Sequence, residues 1–310
     1  MDAIVTLTVN PTLDKSTSAQ QVVPEHKLRC DVLRHEPGGG GINVSRAIRQ
    51  LGGESVAFFL AGGPSGRVFQ SLIEEQQIEY HPYQIEGWTR ESFTVFDNST
   101  TLQYRFVMPG PVVQASEWQG ALVELSSVTQ SAGYMVASGS LSPGLPADFY
   151  ARVARIAGEA GTRLIVDTSG DALRETLGER VFMLKPNIVE LEALMGQKFS
   201  EQSQIHEVAT ELIRTQKCEI FMVSLGAQGA FMASAEGGEF MRAPTVPILS
   251  KVGAGDSMVA GAVLALARGY SMRDAMYYGV AAGSAAVMTP GSELCRREDT
   301  EMLFAQMKLN

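Results

Sequence analysis

Asp256 is the residue of this chain whose type and setting most clearly indicate chemistry. It follows Gly253, Ala254 and Gly255 in the run KVGAGDSMVAG, and an apolar segment typical of a helix continues from it. Small residues at a helix start let backbone N–H groups converge on one point, which favours negative charge there. An acid at the rim of such a point predicts a general base for phosphoryl transfer to a hydroxyl. The alternative is a helix cap after a tight turn.

A second motif consists of four glycines, Gly38 to Gly41, followed by Ile42 and Asn43 at a predicted helix start. Such glycines let a ligand touch the backbone, and Asn43 is a candidate donor and acceptor for hydroxyls. The spacing is not GxGxxG and the run does not follow the first strand, so dinucleotide binding is rejected. Asp14 could bind the same polyol, or it could form the turn after Pro11.

Further candidates follow apolar runs of strand length, because ligands of parallel sheets gather at the carboxyl ends of the strands. Asn187 and Glu190 form an NxxE pair at a helix start. There a carboxylate could contact Mg²⁺ of a nucleotide through water, or both residues could be capping groups. The strand-end segments are Gly139-Ser140, Lys185-Pro186-Asn187 and Ser224-Leu225-Gly226.

The charge argues against a polyanionic partner. The 310 residues carry a formal net charge of −9, whereas nucleic acid and anionic membranes both require a basic surface. A phosphorylated substrate needs only a local basic cluster. Four residues in strand-like or turn-like segments are candidates for that cluster, with solvated surface charge as the alternative: Lys27, Arg29, Arg90 and Arg105.

Composition indicates an ordinary globular chain, with 45% hydrophobic and 19% charged residues. There is neither a basic, apolar leader nor a stretch approaching about 18 apolar residues, so we expect a cytoplasmic protein. Cys30, Cys218 and Cys295 are odd in number and have no ligand spacing with the histidines. Reduced thiols and no zinc are therefore expected.

Apolar runs alternate with helical patterns, which predicts an α/β fold with a mostly parallel, helix-covered sheet. Ser271 with Asp274 predicts a capping box for the last long helix. Predicted strands are 4–9, 56–61, 134–138, 164–167, 181–184 and 220–225, and predicted helices are 42–51, 67–77, 117–128, 148–159 and 189–195.

Two regions, about 12–36 and 89–107, break this alternation with β-like stretches that could pair into a small separate sheet. Residues 93–96 and 102–107 flank a polar turn and predict a hairpin. Because these regions carry the four basic candidates, they predict a flap over a phosphate site. The alternative is a hairpin with solvated charges. We expect a single domain over 1–310 that includes this lid.

These motifs together resemble the ribokinase-like, or pfkB, family of sugar kinases over nearly the whole chain. The family's two signature regions are GGGGINVSRAIRQLGG at 38–53 and VGAGDSMVAG at 252–261, in the expected order. Further segments are most similar to members that act on fructose 6-phosphate: KLRC (27–30), WTR (88–90), YRFVMPG (104–110), SGSL (138–141) and GVAAGSAA (279–286).

The resemblance implies a ribokinase-like three-layer α/β/α sandwich with a β-sheet lid, often dimeric through the lids. It implies ATP-dependent phosphorylation of the 1-hydroxyl of fructose 6-phosphate, with Asp256 as base and the amides of Gly253, Ala254 and Gly255 around the phosphoryl group. Tagatose-6-phosphate kinase and 1-phosphofructokinase are alternatives on the same fold. A sugar-phosphate or nucleotide sensor is the non-enzymatic alternative, and the intact acid-and-amide centre argues against it.

The resemblance also assigns the remaining expected contacts. Around the sugar phosphate they are Asp14, Gly39, Gly40, Asn43, Arg90 and Ser140, with Lys27, Arg29 and Arg105 from a partner's lid. Around ATP they are Lys185, Asn187, Ser224, Gly226, Gly229 and Ser284, with Glu190 near Mg²⁺ through water. Residues near a possible K⁺ are Ser250, Val252, Ala286 and Gly291.

One departure concerns the K⁺ expectation. Lys251 stands where the family generally has a small residue, and a nearby ammonium could repel or replace the ion. Thr289, Pro290 and Glu293 also differ from the family's loop. Tetramer formation with excess ATP is a further property of related kinases that this chain could share.

Overall fold

The computed structural model of the chain describes residues 2–309. The strands are β1 (Ile4–Thr8), β2 (Thr12–Ala19), β3 (Arg34–Gly38), β4 (Val56–Ala61), β5 (Glu79–Gln84), β6 (Arg90–Asp97), β7 (Leu102–Phe106), β8 (Tyr134–Ser138), β9 (Arg163–Asp167), β10 (Val181–Leu184), β11 (Cys218–Ser224), β12 (Ala230–Ser234) and β13 (Gly237–Met241). The helices are α1 (Gly40–Gln50), α2 (Gly63–Glu75), α3 (Ala115–Thr129), α4 (Phe149–Ala160), α5 (Gly170–Thr176), α6 (Ile188–Met195), α7 (Gln202–Arg214), α8 (Ala254–Ala267), α9 (Met272–Val287) and α10 (Arg297–Lys308).

The larger sheet has the strand order β13-β12-β11-β10-β9-β8-β1-β4-β5. Its strands from β11 to β5 pair in parallel, and β12 and β13 add an antiparallel edge. The predicted α/β class with a mostly parallel sheet is therefore confirmed. The predicted strands match β1, β4, β8, β9, β10 and β11, whereas β5, β12 and β13 were not predicted.

Alternation along the strands places apolar side chains on both faces of this sheet. Ile4 and Val136 face a core shared with α1, α8 and α9. Val5 and Met135 face the opposite core, where Trp118 of α3 and residues of α4 and α7 pack. The result is three layers, helices over sheet over helices, with the parallel strands ending at one edge.

The smaller sheet has the order β3-β2-β6-β7. β2 pairs antiparallel with β3 and parallel with β6, and β6 and β7 form the predicted antiparallel hairpin. The carboxylate of Asp97 accepts hydrogen bonds from the amides of Ser99 and Thr100 in the hairpin turn and from Val22 N. The small separate sheet, called the lid below, is thus present.

Helix α8 is apolar around most of its circumference because it is buried between the sheet, α1 and α9. Ser271 caps α9, its Oγ accepting the Asp274 amide at 3.1 Å, which is one of the two bonds of the predicted capping box. The prediction that this is the last long helix is wrong, since α10 follows it. Among residues 2–309, no helix has the length and apolar character needed to cross a membrane.

Candidate active site

Asp256 lies in the first turn of α8, at the edge where the parallel strands end. Gly253 caps this helix with φ of 74°, a left-handed conformation that favours glycine. The first backbone N–H groups of a helix have no intrahelical acceptor. Those of residues 254–256 therefore point out of the N-terminal end of α8 and are free to bind a ligand. A helix start of this kind favours a bound anion, so the predicted anion site at residues 253–256 stays a prediction that this arrangement supports.

Asn43, in the first turn of α1, donates through Nδ2 to Asp256 Oδ2 at 2.9 Å. The two glycine-rich motifs, far apart in sequence, thus meet at a single hydrogen bond. The opposite end of the same amide, Asn43 Oδ1, accepts a bond from Arg46 at 3.3 Å.

The pKa of Asp256 is raised to about 7, mainly by burial and then by the charge of Asp167. The Asn43 hydrogen bond and the charges of Lys185 and Arg46 oppose this rise. A carboxylate with a pKa near 7 is well suited to accept a proton from a hydroxyl at neutral pH.

Lys185 follows β10 and is buried, with only 3% of its surface exposed. Its Nζ lies 3.0 Å from Asp167 Oδ1. Burial disfavours the ammonium, but the charge of Asp167 and its hydrogen bond outweigh burial, and the pKa of Lys185 is raised. A Cβ on Gly255 would lie 3.7 Å from this Nζ, so a fixed positive charge stands beside the anion site.

A cavity of about 1330 Å³ lies between the lid and the start of α1. It contains six of the residues predicted to bind sugar phosphate, and it extends to the loop that follows α9. Its lining includes Thr12, Asp14, Lys15, Gly39, Gly40, Asn43, Arg90, Ser92, Arg105, Val252, Gly291 and Ser292.

Arg90 lines this cavity and is held in place by hydrogen bonds to the backbone. Its two terminal nitrogens donate to the carbonyls of Met108 and Asn10, each at 3.1 Å. Its Nε is buried and has no hydrogen-bond partner among the described residues. Because an unsatisfied buried donor costs free energy, this N–H indicates a place for a ligand oxygen.

Asp14 lies nearby on β2, and burial raises the pKa of its carboxyl. The Thr12 hydroxyl and the charges of Arg90 and Arg105 oppose this shift. Ser140, at the rim beyond β8, accepts a hydrogen bond from Asn10 Nδ2 at 3.1 Å.

Lys27 and Arg29 lie elsewhere. Both are exposed on the segment between β2 and β3, and neither lines the cavity of its own chain. A single chain therefore does not bring these two predicted substrate contacts to the site.

The glycine motif has a physical role that the sequence interpretation missed. A Cβ on Gly40 would lie 2.7 Å from the backbone of Ser138, and one on Gly38 would collide with the carboxylate of Asp14. Such distances are too short for any side chain. The glycines thus permit close packing of protein on protein, which places the start of α1 against the end of β8.

Most candidate nucleotide residues follow β10 and β11. Asn187 and Glu190 form a reciprocal capping box for α6, in which each side chain accepts the other's amide at 2.8–2.9 Å. Burial raises the pKa of Glu190. Ser224 bridges to Asn187, and Gly226 and Gly229 enclose a short 3-10 turn.

Ser284, like Lys185, is buried, with 8% of its surface exposed. It lies within α9, and its hydroxyl donates to the Val280 carbonyl at 2.8 Å. Its assignment to the nucleotide stays a prediction.

Residues 2–309 contain no group of three or more His, Cys, Asp or Glu side chains that could hold a metal ion. A few carboxylates near the strand ends, Glu190 and Asp167, instead fit Mg²⁺ that arrives on nucleotide phosphates and keeps most of its water.

Two of the residues predicted near K⁺, Ala286 and Gly291, have backbone carbonyls that already accept hydrogen bonds within the protein. Ser250 Oγ donates to the Gly291 carbonyl at 2.7 Å and accepts from the Val252 amide at 3.2 Å. The Ala286 carbonyl already accepts the hydroxyl and the amide of Thr289. The Lys251 side chain is exposed. The assignment of these residues to K⁺ stays a prediction.

Three site residues escaped sequence reasoning. Asp167 was noted only as the end of a strand, although the strand-end rule applied to it. Arg46 is only 5% exposed and stands inside the first motif, where it was not singled out. Asn10 donates to Ser140 and accepts a hydrogen bond from Arg90 at its carbonyl. In the sequence it directly precedes Pro11, and only the turn after Pro11 was considered.

Comparison with known proteins places this site in context. The family model described as pfkB family carbohydrate kinase matches residues 8–299. A protein of Mycobacterium tuberculosis named ATP-dependent 6-phosphofructokinase isozyme 2 is 42% identical over 97% of this chain and 88% of its own. The protein of that name from Escherichia coli is 39% identical over 99% of both chains.

Solved structures agree with these relatives. The structure of Escherichia coli phosphofructokinase-2 in complex with potassium has a TM-score of 0.95, 38% identity and coverage of 99% of this chain and 100% of its own. The same protein is described in complex with fructose-6-phosphate and in a tetrameric inhibited form, each with a TM-score of 0.93, 38% identity and the same coverage. The ribokinase-like fold expected from the sequence is confirmed.

Proposed function

The chain belongs to the pfkB family of carbohydrate kinases, and from that premise we propose that it is an ATP-dependent 6-phosphofructokinase. It transfers the γ-phosphoryl group of ATP to the 1-hydroxyl of fructose 6-phosphate, giving fructose 1,6-bisphosphate and ADP. The observation that carries the proposal is the position of Asp256, between a lid-covered cavity with Arg90 and an amide-rich helix start with Lys185.

The reaction follows from this arrangement. Asp256 takes the proton of the 1-hydroxyl, the hydroxyl oxygen forms a bond to the γ-phosphorus, and the bond from that phosphorus to the β-phosphate oxygen breaks. The amides of Gly253, Ala254 and Gly255 and the ammonium of Lys185 stabilise the charge on the transferred group. Positioning and charge stabilisation dominate such transfers, so a carboxylate suffices as the base.

At the acceptor end, Arg90 offers its unpaired Nε to the 6-phosphate, while Asp14 and Asn43 orient the sugar hydroxyls. Glu190 would hold the water shell of a Mg²⁺ ion bound together with ATP, and that ion would supply charge neutralisation at the phosphates. No step requires K⁺, and any stimulation by that ion would act through the 250–252 and 286–291 segments.

We further propose that the protein works in the cytoplasm as a homodimer joined through its lids. The outer lid strand supports this, since Leu102 is 61% and Phe106 48% exposed, with Val107 63% exposed beyond it. Lys27 and Arg29, which lie outside their own cavity, are then supplied to the partner's phosphate site. We also propose that this chain forms a tetramer with excess ATP, and the tetrameric inhibited form described for the Escherichia coli protein supports a tetramer on this fold.

A coupled ADP-release assay with MgATP tests the proposed activity. Fructose 6-phosphate, tagatose 6-phosphate and fructose 1-phosphate are compared at matched concentrations, with and without K⁺. The proposal expects the highest kcat/KM with fructose 6-phosphate. A higher value with another sugar phosphate would keep the mechanism and replace the substrate, and no turnover with any of them would refute the proposed function.

A further inference from the structure

Arg46 is a buried arginine that no substrate-binding expectation uses. It lies on α1 one turn after Asn43, and its side chain is enclosed by three segments of the chain. Nε donates to Gln76 Oε1 at 3.0 Å, Nη1 to the Pro37 carbonyl at 3.1 Å, and Nη2 to Glu36 Oε1 at 3.1 Å. Glu36 and Pro37 belong to lid strand β3. Arg46 is therefore the charged link between the main domain and the lid.

The same guanidinium also contacts Asn43, where Nη1 donates to Oδ1 at 3.3 Å. An asparagine amide can accept at one end and donate at the other, and its orientation is set by its partners. Since Arg46 can only donate, it holds the oxygen of Asn43 toward itself and leaves Nδ2 for Asp256. The hydrogen bond to the base thus depends on a neighbour that does not touch the base.

The link continues on the lid side. Glu36 Oε2 accepts the hydroxyl of Ser292 at 2.7 Å, in the loop after α9 that lines the sugar-phosphate cavity. Glu36 is also the cross-strand partner of Asp14. Without a cation on Glu36, two carboxylates would face each other at the cavity wall, which disfavours both charges.

We propose that Arg46 is a positioning residue that aligns the Asn43 amide with Asp256 and ties this alignment to lid strand β3 through Glu36. The proposal rests on the proposed function and deepens it. The residue that contacts lid strand β3 is thus also the one that orients the hydrogen-bond partner of the catalytic base. If β3 moves away from Arg46, the Asn43 amide can rotate and its hydrogen bond to Asp256 is lost.

Several charged and polar groups around Asp256 shift its pKa, so a test must separate the charge of Arg46 from its hydrogen bonds. Asp167 from β9 raises its pKa, whereas Asn43, Lys185 and Arg46 lower it. Arg46→Gln removes one of these cations. Arg46→Lys keeps the charge but replaces the planar fork with one ammonium, which cannot reproduce the donors to Asn43, Pro37, Gln76 and Glu36 together. Charge and orientation are thereby separated.

For the experiment, kcat and KM are measured from about pH 5.5 to 9 for the wild type, both Arg46 variants and Glu36→Gln. In Arg46→Gln we expect kcat to fall roughly tenfold to a hundredfold. The apparent pKa below which kcat declines, called the acid limb of the profile, should rise by about half a pH unit to one pH unit. In Arg46→Lys kcat should fall comparably, and the acid limb should rise less than in Arg46→Gln, because the charge is kept and only the Asn43 hydrogen bond to Asp256 is lost. Glu36→Gln should move that limb downward, because it removes a negative charge from beside Arg46.

Arg49→Gln is the matched control. Arg49 lies on the same helix, is exposed, and donates to Gln77 Oε1 at 2.7 Å far from the cavity. Its kcat, KM and acid limb should equal those of the wild type. Wild-type values of kcat and acid limb in both Arg46 variants would overturn the proposal, as would equal losses in Arg49→Gln.

Hydrogen exchange of the unliganded proteins tests the lid tie without any turnover. Residues 34–38 and 289–293 should exchange faster in Arg46→Gln and Glu36→Gln than in the wild type and Arg49→Gln. Unchanged exchange in these segments would overturn the tie to β3. A wild type that phosphorylates no sugar phosphate would refute the proposed function instead, and this exchange result would still decide the role of Arg46.

Discussion

The side-chain amide of Asn43 lies 2.9 Å from a carboxylate oxygen of Asp256, although 213 positions separate the two residues. This bond exists because α1 packs against α8, so the starts of both helices reach the same edge of the sheet. The bond favours the ionised carboxylate, whereas burial and Asp167 favour the protonated form. The balance between them sets the pH at which the base can work.

The first prediction concerns that pH. With the pKa of Asp256 raised to about 7, kcat/KM should fall as the pH drops below about 7, since the protonated carboxyl cannot accept a proton. Initial rates across the pH range provide the test. The substrate's own phosphate also titrates near pH 6, but that titration is the same for every variant. A wild-type profile that stays flat down to about pH 5 would contradict the prediction.

The second prediction concerns Asp256→Asn. Loss of the base should lower kcat by about 10²- to 10⁴-fold while the Kd for ATP changes little, because the amides and Lys185 remain. Stopped assays at high enzyme concentration and ATP titration by calorimetry measure the two quantities. Near-normal turnover in the variant would rule out Asp256 as the base.

The same variant should differ in stability, which gives a third prediction. The folded-state pKa of Asp256 lies above its ordinary 3.8, so its contribution to stability is fully present below about 3.8 and is lost as the pH rises through about 7. Asp256→Asn should therefore unfold a few degrees above the wild type at pH 8 and lose this advantage near pH 4. Thermal melts at both pH values are the measurement, and a pH-independent difference would count against the raised pKa.

The fourth prediction concerns the pair of Lys185 and Asp167. Lys185→Met should lower kcat/KM by about 10²- to 10³-fold, because a fixed cation beside the anion site is lost. It should also destabilise the protein, by less than the about 3–5 kcal/mol of a fully buried pair, since the partly buried Asp167 is left without its cation. The double variant Lys185→Met with Asp167→Asn should recover much of the melting temperature and none of the activity. Recovery of both would mean that Lys185 acts only through folding.

Much of the fold could be predicted because buried parallel strands are nearly continuous apolar runs. The strands at 56–61, 134–138 and 181–184 have the bounds that the structure gives. β5 was not predicted since its EYHPYQ sequence is only half-buried at an edge, and β13 since its GGEFM sequence is largely exposed. Edge strands lack the continuous apolar run from which a central strand can be predicted.

Motif and strand position together led to Asp256, Asn43 and Arg90, which the structure places around one cavity edge, while their roles stay predictions. The site was not predicted where a residue acts through a neighbour. Arg46 is buried by contacts from β3 and from the end of α2, and neither contact follows from local sequence. The glycine motif was recognised in the sequence, but its packing role was not. A Cβ on Gly40 would collide with Ser138 because α1 packs against β8, and the spacing of residues in the sequence does not predict that contact.

The last prediction tests whether Lys27 and Arg29 act in the partner's site. The variant Asp256→Asn lacks the base but keeps both cations, and the double variant Lys27→Ala with Arg29→Ala keeps the base but lacks them. Each should be nearly inactive alone. In a mixed dimer, the intact base of one chain faces the intact cations of the other, so one of the two sites is complete.

If subunits exchange at random, an equal mixture should recover about a quarter of the wild-type turnover per chain. Activity is followed over time after mixing, with light scattering to record the dimer. Asp256→Asn mixed with Asp256→Asn carrying both alanines is the control, since no complete site can form in it. Recovery in the main mixture alone requires cations that cross between subunits, because no single chain in that mixture carries both halves of the site. If dimers exchange subunits but activity stays absent, Lys27 and Arg29 serve their own chain or none.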